Sequence, residues 1–140
     1  DTGYGQGKIL VSPLQIAMIY QSIANDGVML RPYLIQSIDF HNKNLYKGKK
    51  EELAKPISKE TAQILQSMLH KVATDYYKIE DATICTKTGT AQISGNKVKC
   101  YFASFDKDYV VVASKICDDG FGIDLKNQVL LMYEYLRNSE

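Results

Sequence analysis

The chain has 140 residues, of which 45% are hydrophobic and 24% charged, and its 17 basic and 16 acidic residues leave a net charge of +1. This is the balance of a globular domain able to bury about two thirds of the surface its unfolded chain exposes, and it excludes intrinsic disorder. It provides no overall field to hold a phosphate backbone or an anionic bilayer, which argues against nucleic acid as a partner. No apolar run approaches the length of a membrane helix, and no signal-peptide pattern occurs. The first residue is Asp1 and not methionine, so the chain is expected to be cut from a longer polypeptide. The three cysteines, Cys85, Cys100 and Cys117, are odd in number and lack Cys-x-x-Cys spacing, which argues against a zinc site or a disulfide framework. They read as small apolar side chains.

Ser12-Pro13 is a helix start, serine as N-cap and proline at the first helical position. Residues 14–24 are apolar on most faces, which predicts a helix buried between other layers. Asn25-Asp26-Gly27 ends it, with Gly27 suited to a left-handed cap. Residues 28–38, broken by Pro32, read as extended chain leading into a strand or hairpin. Residues 41–55 are polar and lysine-rich. Glu51 and Glu52 adjoin the lysines and no aromatic platform accompanies them, so this is a solvated loop or weak hairpin. Ser58 caps a second helix whose stripe of Ala62, Leu65, Met68, Leu69, Val72 and Ala73 follows helical spacing. After Tyr76-Tyr77, three strand-like runs (82–93, 98–105 and 109–117) are separated by the turn sequences Ser94-Gly95-Asn96 and Asp106-Lys107-Asp108. The last two runs are almost continuously apolar, so both faces of their sheet should be covered. A final helix over 125–136 places Leu125, Val129, Met132, Tyr133 and Leu136 on one face. The class is therefore α+β, an antiparallel sheet flanked by helices.

Lys87-Thr88-Gly89-Thr90 falls in the middle of the first of those three strands. A mid-strand lysine, a glycine that weakens the strand and the hydroxyls of Thr86, Thr88 and Thr90 break local preferences together. Such departures mark functional sites, and a strand glycine often marks close approach of another backbone or a ligand. On these residues alone the alternative stays open that this is an edge strand whose lysine deters aggregation.

The surrounding residues carry more. Gly5-Gln6-Gly7, then Val11-Ser12-Pro13-Leu14-Gln15-Ile16-Ala17, then Ile23-Ala24-Asn25-Asp26-Gly27 with Arg31-Pro32-Tyr33-Leu34, precede Lys87-Thr88-Gly89-Thr90-Ala91-Gln92, and Tyr101-Phe102-Ala103-Ser104-Phe105 follows. In this order and spacing, from Gly5 to Leu136, the chain resembles the penicillin-binding transpeptidases, most closely the monofunctional (class B) ones, and Lys-Thr-Gly is a motif of that superfamily. The resemblance implies that residues 1–140 form the C-terminal part of one transpeptidase domain, a partial serine β-lactamase/transpeptidase fold lacking its helical half. It implies Lys87 and Thr90 as catalytic residues, the lysine supplying positive charge and Thr90 its hydroxyl and backbone N–H. Thr88, Gly89 and Thr90 would contact substrate, with no metal and no cofactor. The implied partners are a peptidoglycan stem peptide, β-lactams and the missing N-terminal half of the domain, at the outer face of the bacterial cytoplasmic membrane.

The family's Ser-x-x-Lys nucleophile and Ser-x-Asn motif do not occur before Lys87. Ser94-Gly95-Asn96-Lys97 and Ser104-Phe105-Asp106-Lys107 imitate them, but one lies in a hairpin turn and the other runs off a strand end. No nucleophile is therefore assigned in this chain, and alone it is expected to be inactive. Thr86 stands where the family usually has glycine, and Tyr76-Tyr77 replaces an expected glycine-threonine-glycine stretch. A β-lactam-sensing receptor, a serine β-lactamase fragment and a non-catalytic interaction module remain as rival readings. The face that should pack on the absent half is expected to be exposed and apolar and to drive self-association. His41, His70 and Asp118-Asp119-Gly120 lack the partners a catalytic or metal site needs. Pairing the last two strands across the 106–108 turn sets Cys100 beside Ser114 and Cys117 on the opposite face, so no disulfide is expected; a one-residue slip of register reverses this.

Overall fold

The structure is a computed structural model that describes residues 7–139; Gly5 and Gln6 of the glycine-rich start lie outside them. Helix α1 (Pro13–Ala24) begins as expected: the Ser12 hydroxyl accepts from the Gln15 backbone N–H, and the Gln15 side chain accepts from the Ser12 N–H. Its end is left-handed at both Asp26 (φ 50°) and Gly27 (φ 90°). A Cβ at residue 27 would sit 2.3 Å from the Ile57 carbonyl oxygen, so the glycine is required there by packing as well as by φ.

Residues 28–55 resolve into two small antiparallel pairs, β1 (Met29–Leu30) with β4 (Glu52–Ala54) and β2 (Ser37–Phe40) with β3 (Lys43–Lys47). The hairpin turn between β2 and β3 is His41-Asn42, both left-handed. Helix α2 (Lys59–Lys71) is capped by Ser58 and runs into a π-helical turn (Val72–Tyr76). Then come β5 (Cys85–Ser94), β6 (Lys97–Phe105) and β7 (Val110–Cys117), a three-stranded antiparallel meander in the order β5-β6-β7. A 3-10 turn (Gly122–Leu125) leads into α3 (Lys126–Asn138).

The meander has a core on each face, as the apolar runs required. On one face Ile84, Cys100 and Phe102 pack with Ala73, Ile79, Leu125, Val129 and Tyr133. On the other, Cys85 and Phe105 pack with Ile23 of α1 and with Leu65 and Leu69 of α2. The buried polar groups are satisfied: the Tyr133 hydroxyl donates to Ser104 Oγ at 3.1 Å, and Ser104 donates onward to the Val111 carbonyl at 3.2 Å. Arg137 staples α3 to the β6–β7 turn and the segment before β5. Its guanidinium reaches Asp106 and Asp81, each at 2.6 Å, and Thr83 at 3.1 Å.

Two expectations need correction. Helix α1 is not buried between layers: Ile23 and Ser22 face the sheet, but Leu14 is 55% and Ile19 47% exposed, preceded by Ile9 at 75% and Leu10 at 91%. Only one layer of described residues covers this helix. Ile9, Leu10, Leu14 and Ile19 are thus left exposed among the described residues. Second, Cys100 lies opposite Lys115 and Cys117 opposite Val98, so the two cysteines share a face with their sulfurs 3.4 Å apart. The Asp106 N–H donates to the Tyr109 carbonyl and Phe105 pairs with Val110, one residue away from the expected register. With a side-chain period of two, that single step moves Cys117 to the face of Cys100. Met68 and Met132 also stand at the flanks of their helical stripes, 59% and 46% exposed.

Candidate active site

Strand β5 pairs with β6 along one edge only, so among the described residues its other edge carries no strand. Lys87, Thr88, Gly89 and Thr90 lie in mid-strand opposite Ala103, Phe102, Tyr101 and Cys100. Their side chains alternate as the pleat demands. Lys87 and Gly89 are exposed, and the three threonines point to the face where the 3-10 turn and Tyr77 lie.

The Lys87 ammonium donates to the Thr88 carbonyl at 2.8 Å. No carboxylate of the described residues lies within ion-pair distance of it. Its charge is therefore uncompensated among the described residues. At Gly89 an added Cβ would meet nothing closer than Tyr101 Cβ at 4.0 Å. Neither backbone conformation nor internal packing asks for glycine here, so what the missing side chain keeps open is space outside the chain.

The three hydroxyls are held differently. Thr86 is buried and donates to the Ala103 carbonyl at 2.8 Å, which explains how a hydroxyl takes the place where glycine was expected. Thr88 Oγ1 lies 2.6 Å from the Tyr77 hydroxyl, whose ring leans on Phe102. Thr90 Oγ1 accepts the Gly122 N–H at 3.1 Å and is itself exposed. A hydroxyl whose acceptor side is engaged keeps its O–H free to donate outward. Gly122 can come this close only without a side chain: a Cβ there would sit 2.4 Å from the Tyr101 oxygen and 2.9 Å from the Gly89 oxygen.

Tyr77 and Gly122 are the site residues that the sequence reading missed. Tyr77 stood out only as a departure from an expected pattern, and the second glycine of Gly120-Phe121-Gly122 was the sole trace of the close approach. The two imitations of a serine-lysine pair fall elsewhere. Ser94 and Lys97 face each other across the Gly95-Asn96 turn, and Ser104 is buried against Tyr133. Among the described residues no group of three or more metal-ligating side chains converges.

Three antiparallel strands with helices on both faces, and a lysine-threonine-glycine segment on the edge that carries no strand among the described residues, therefore frame the site. Solved structures share this fold: penicillin-binding protein A from Mycobacterium tuberculosis, an imipenem acyl-enzyme complex, superposes with TM-score 0.67 at 26% identity, covering 83% of this chain and 28% of that one. Penicillin-binding protein 3 from the same organism, complexed with aztreonam, shares the fold with TM-score 0.64 at 21% identity over 89% of this chain. Residues 1–129 match the family model of the penicillin binding protein transpeptidase domain, and the chain belongs to that family. It is 34% identical over 109 residues to the penicillin-binding protein PbpB of Mycolicibacterium smegmatis, covering 70% of this chain and 17% of that protein. It is likewise 34% identical over 97 residues to the peptidoglycan D,D-transpeptidase PbpA of M. tuberculosis, covering 65% of this chain and 19% of that protein. The chain thus spans under a fifth of the length of these relatives. No helix among the described residues is long and apolar enough to cross a membrane.

Proposed function

We propose that residues 1–140 are the C-terminal part of the catalytic domain of a serine D,D-transpeptidase acting on peptidoglycan stem peptides at the outer face of the cytoplasmic membrane. In this reading a serine carried outside this chain attacks the D-alanyl-D-alanine carbonyl and expels the terminal D-alanine. A second peptide's amine then takes the acyl group from the acyl-enzyme. A β-lactam enters by the same attack and stays as the acyl adduct.

The observation that carries this reading is the open edge of β5, with Gly89 unfilled beside it. A peptide laid along that edge adds as a strand and gains main-chain hydrogen bonds. Lys87, without a carboxylate partner among the described residues, supplies positive charge to the substrate carboxylate and to the proton-relay groups. Thr90, its acceptor side engaged by Gly122, donates to the carboxylate and offers its backbone N–H to the oxyanion. Thr88 assists under the control of Tyr77. The exposed apolar side chains at and before the start of α1, Ile9, Leu10 and Leu14, lie where the remaining part of the domain would pack.

The test is intact mass after incubation with a penicillin, with this chain alone and with it mixed with a transpeptidase segment bearing a Ser-x-x-Lys helix. The expected result is no adduct alone and an adduct on the added segment in the mixture. An adduct on Ser94 or Ser104 of this chain would overturn the assignment.

A further inference from the structure

We infer that Cys100 and Cys117 form a redox-active dithiol site that oxidises to an intramolecular disulfide on meeting a small-molecule disulfide. The inference is independent of the transpeptidase reading. It rests on where the meander places two sulfurs that sequence reasoning set on opposite faces. Cys100 lies in β6 and Cys117 is the last residue of β7, diagonal neighbours on one face, with Sγ to Sγ 3.4 Å. A disulfide needs about 2.05 Å between sulfurs. The remaining approach falls on Cys117, the last residue of β7, beyond which the ladder no longer continues.

The surroundings make the pairing selective. Cys100 is 1% exposed, whereas Cys117 is half-buried and within reach of a solute. The third cysteine cannot compete: Cys85 belongs to the core on the opposite face, against Phe105 and Ile23, where its thiol donates to the Gln66 carbonyl at 3.6 Å. The loop beyond Cys117 closes over the pair. A Cβ at Gly120 would sit 3.0 Å from Cys117 Sγ and 3.1 Å from an Asp124 carboxylate oxygen, so the loop packs closely on the exposed side of Cys117. Burial first, then the contact with Cys117, pushes the Cys100 thiol up to about 11. The order of events follows from access and from that shift.

The Cys117 thiolate attacks one sulfur of the external disulfide, forming a mixed disulfide and releasing one thiol. Cys100 then gives its proton to solvent and attacks Cys117 Sγ, expelling the second thiol. The protein loses two electrons and two protons, and the external disulfide gains them. The consequence reaches the edge strand. Cys117 opens the short loop that ends at Gly122, whose N–H holds the Thr90 hydroxyl. Oxidation therefore ties the start of that loop to β6.

The experiment is to equilibrate the folded chain with oxidised glutathione, quench in acid, alkylate the remaining thiols and map tryptic peptides by mass. The expected product is residues 100–107 linked to residues 116–126, a chain about 2 Da lighter, and Cys85 alkylated. The thermal midpoint should rise by roughly 10 °C on oxidation, and Cys117→Ser should abolish that difference. Cys85→Ala should oxidise as the parent does. A persistent glutathione adduct on Cys117, alkylation of both Cys100 and Cys117, or a link that includes Cys85 would overturn the inference.

Discussion

Replacing Gly89 by alanine separates packing from function more cleanly than any other change in this site. The added methyl meets only Tyr101 Cβ, at 4.0 Å, an ordinary contact, and residue 89 has no left-handed backbone to strain. Removing a glycine from a strand interior also restricts the unfolded chain, which favours the folded state by about 0.5 kcal/mol. The expected change in thermal midpoint is thus zero to a few degrees upward. The methyl would nonetheless occupy the space proposed for the incoming peptide backbone. Displacing a reacting group by about 1 Å costs on the order of 100-fold in rate. The matched control is Gly122→Ala, whose Cβ would sit 2.4 Å from the Tyr101 oxygen and 2.7 Å from Thr88 Cβ. Both neighbours are parts of the sheet and cannot swing aside, so this variant should lose about 1–3 kcal/mol. Thermal unfolding of the isolated variants, followed by circular dichroism, gives the stabilities. The acylation rate with a fluorescent penicillin, in the assembly with a serine-bearing segment, gives the function. If Gly89→Ala destabilised the fold as much as Gly122→Ala, the glycine would be a packing residue. If it acylated at the parent rate, β5 would not be the wall along which the ligand lies.

The Arg137 network predicts acid sensitivity. Burial raises the carboxyls of Asp106 and Asp81, but the hydrogen bonds they accept, from Arg137 together with the Tyr109 and Asp108 backbones and from Thr83 and Arg137 respectively, outweigh it and hold both below the ordinary carboxylate range. A carboxyl depressed on folding contributes stability that is complete above its unfolded value, near 4, and is lost as pH falls through the lower folded value. The thermal midpoint should therefore fall between about pH 5 and pH 2. Asp106→Asn should cost about 3 kcal/mol at neutral pH and flatten that fall, since the Asp106 side chain is 2% exposed and its partner 38%; an unchanged slope would remove the network as its cause. The exposed apolar side chains of Ile9, Leu10, Leu14 and Ile19 should make the isolated chain self-associate. Sedimentation at rising concentration checks this, and a monomer throughout, together with an unaltered profile for Leu10→Lys, would refute it.

Much of the molecule was legible because its signals are local. Ser12-Pro13 and Ser58 cap their helices with groups three residues away, and Gly95, at φ 56°, turns the β5–β6 hairpin. The order of helix, small strands, helix, meander and helix follows from these and from hydrophobic period. The lysine-threonine-glycine segment was legible for a different reason: in a strand it is locally unfavourable, so its presence asked for an external cause. The family match spans residues 1–129 and so includes that segment.

What the sequence could not settle by itself depends on contacts between distant residues. The β6–β7 register turns on one backbone bond, from the Asp106 N–H to the Tyr109 carbonyl, and on an aspartate oxygen that takes the N–H groups of both Asp108 and Tyr109. A polar four-residue segment is compatible with turns one residue longer or shorter, and only packing of both sheet faces chooses between them. That choice brought Cys100 to Cys117. Tyr77 reached Thr88 and Gly122 reached Thr90 through the same tertiary closure, across 11 and 32 positions of chain. The exposure of α1 was decided likewise: its residues are apolar on most faces, and which of them are covered depends on the layers present to cover them.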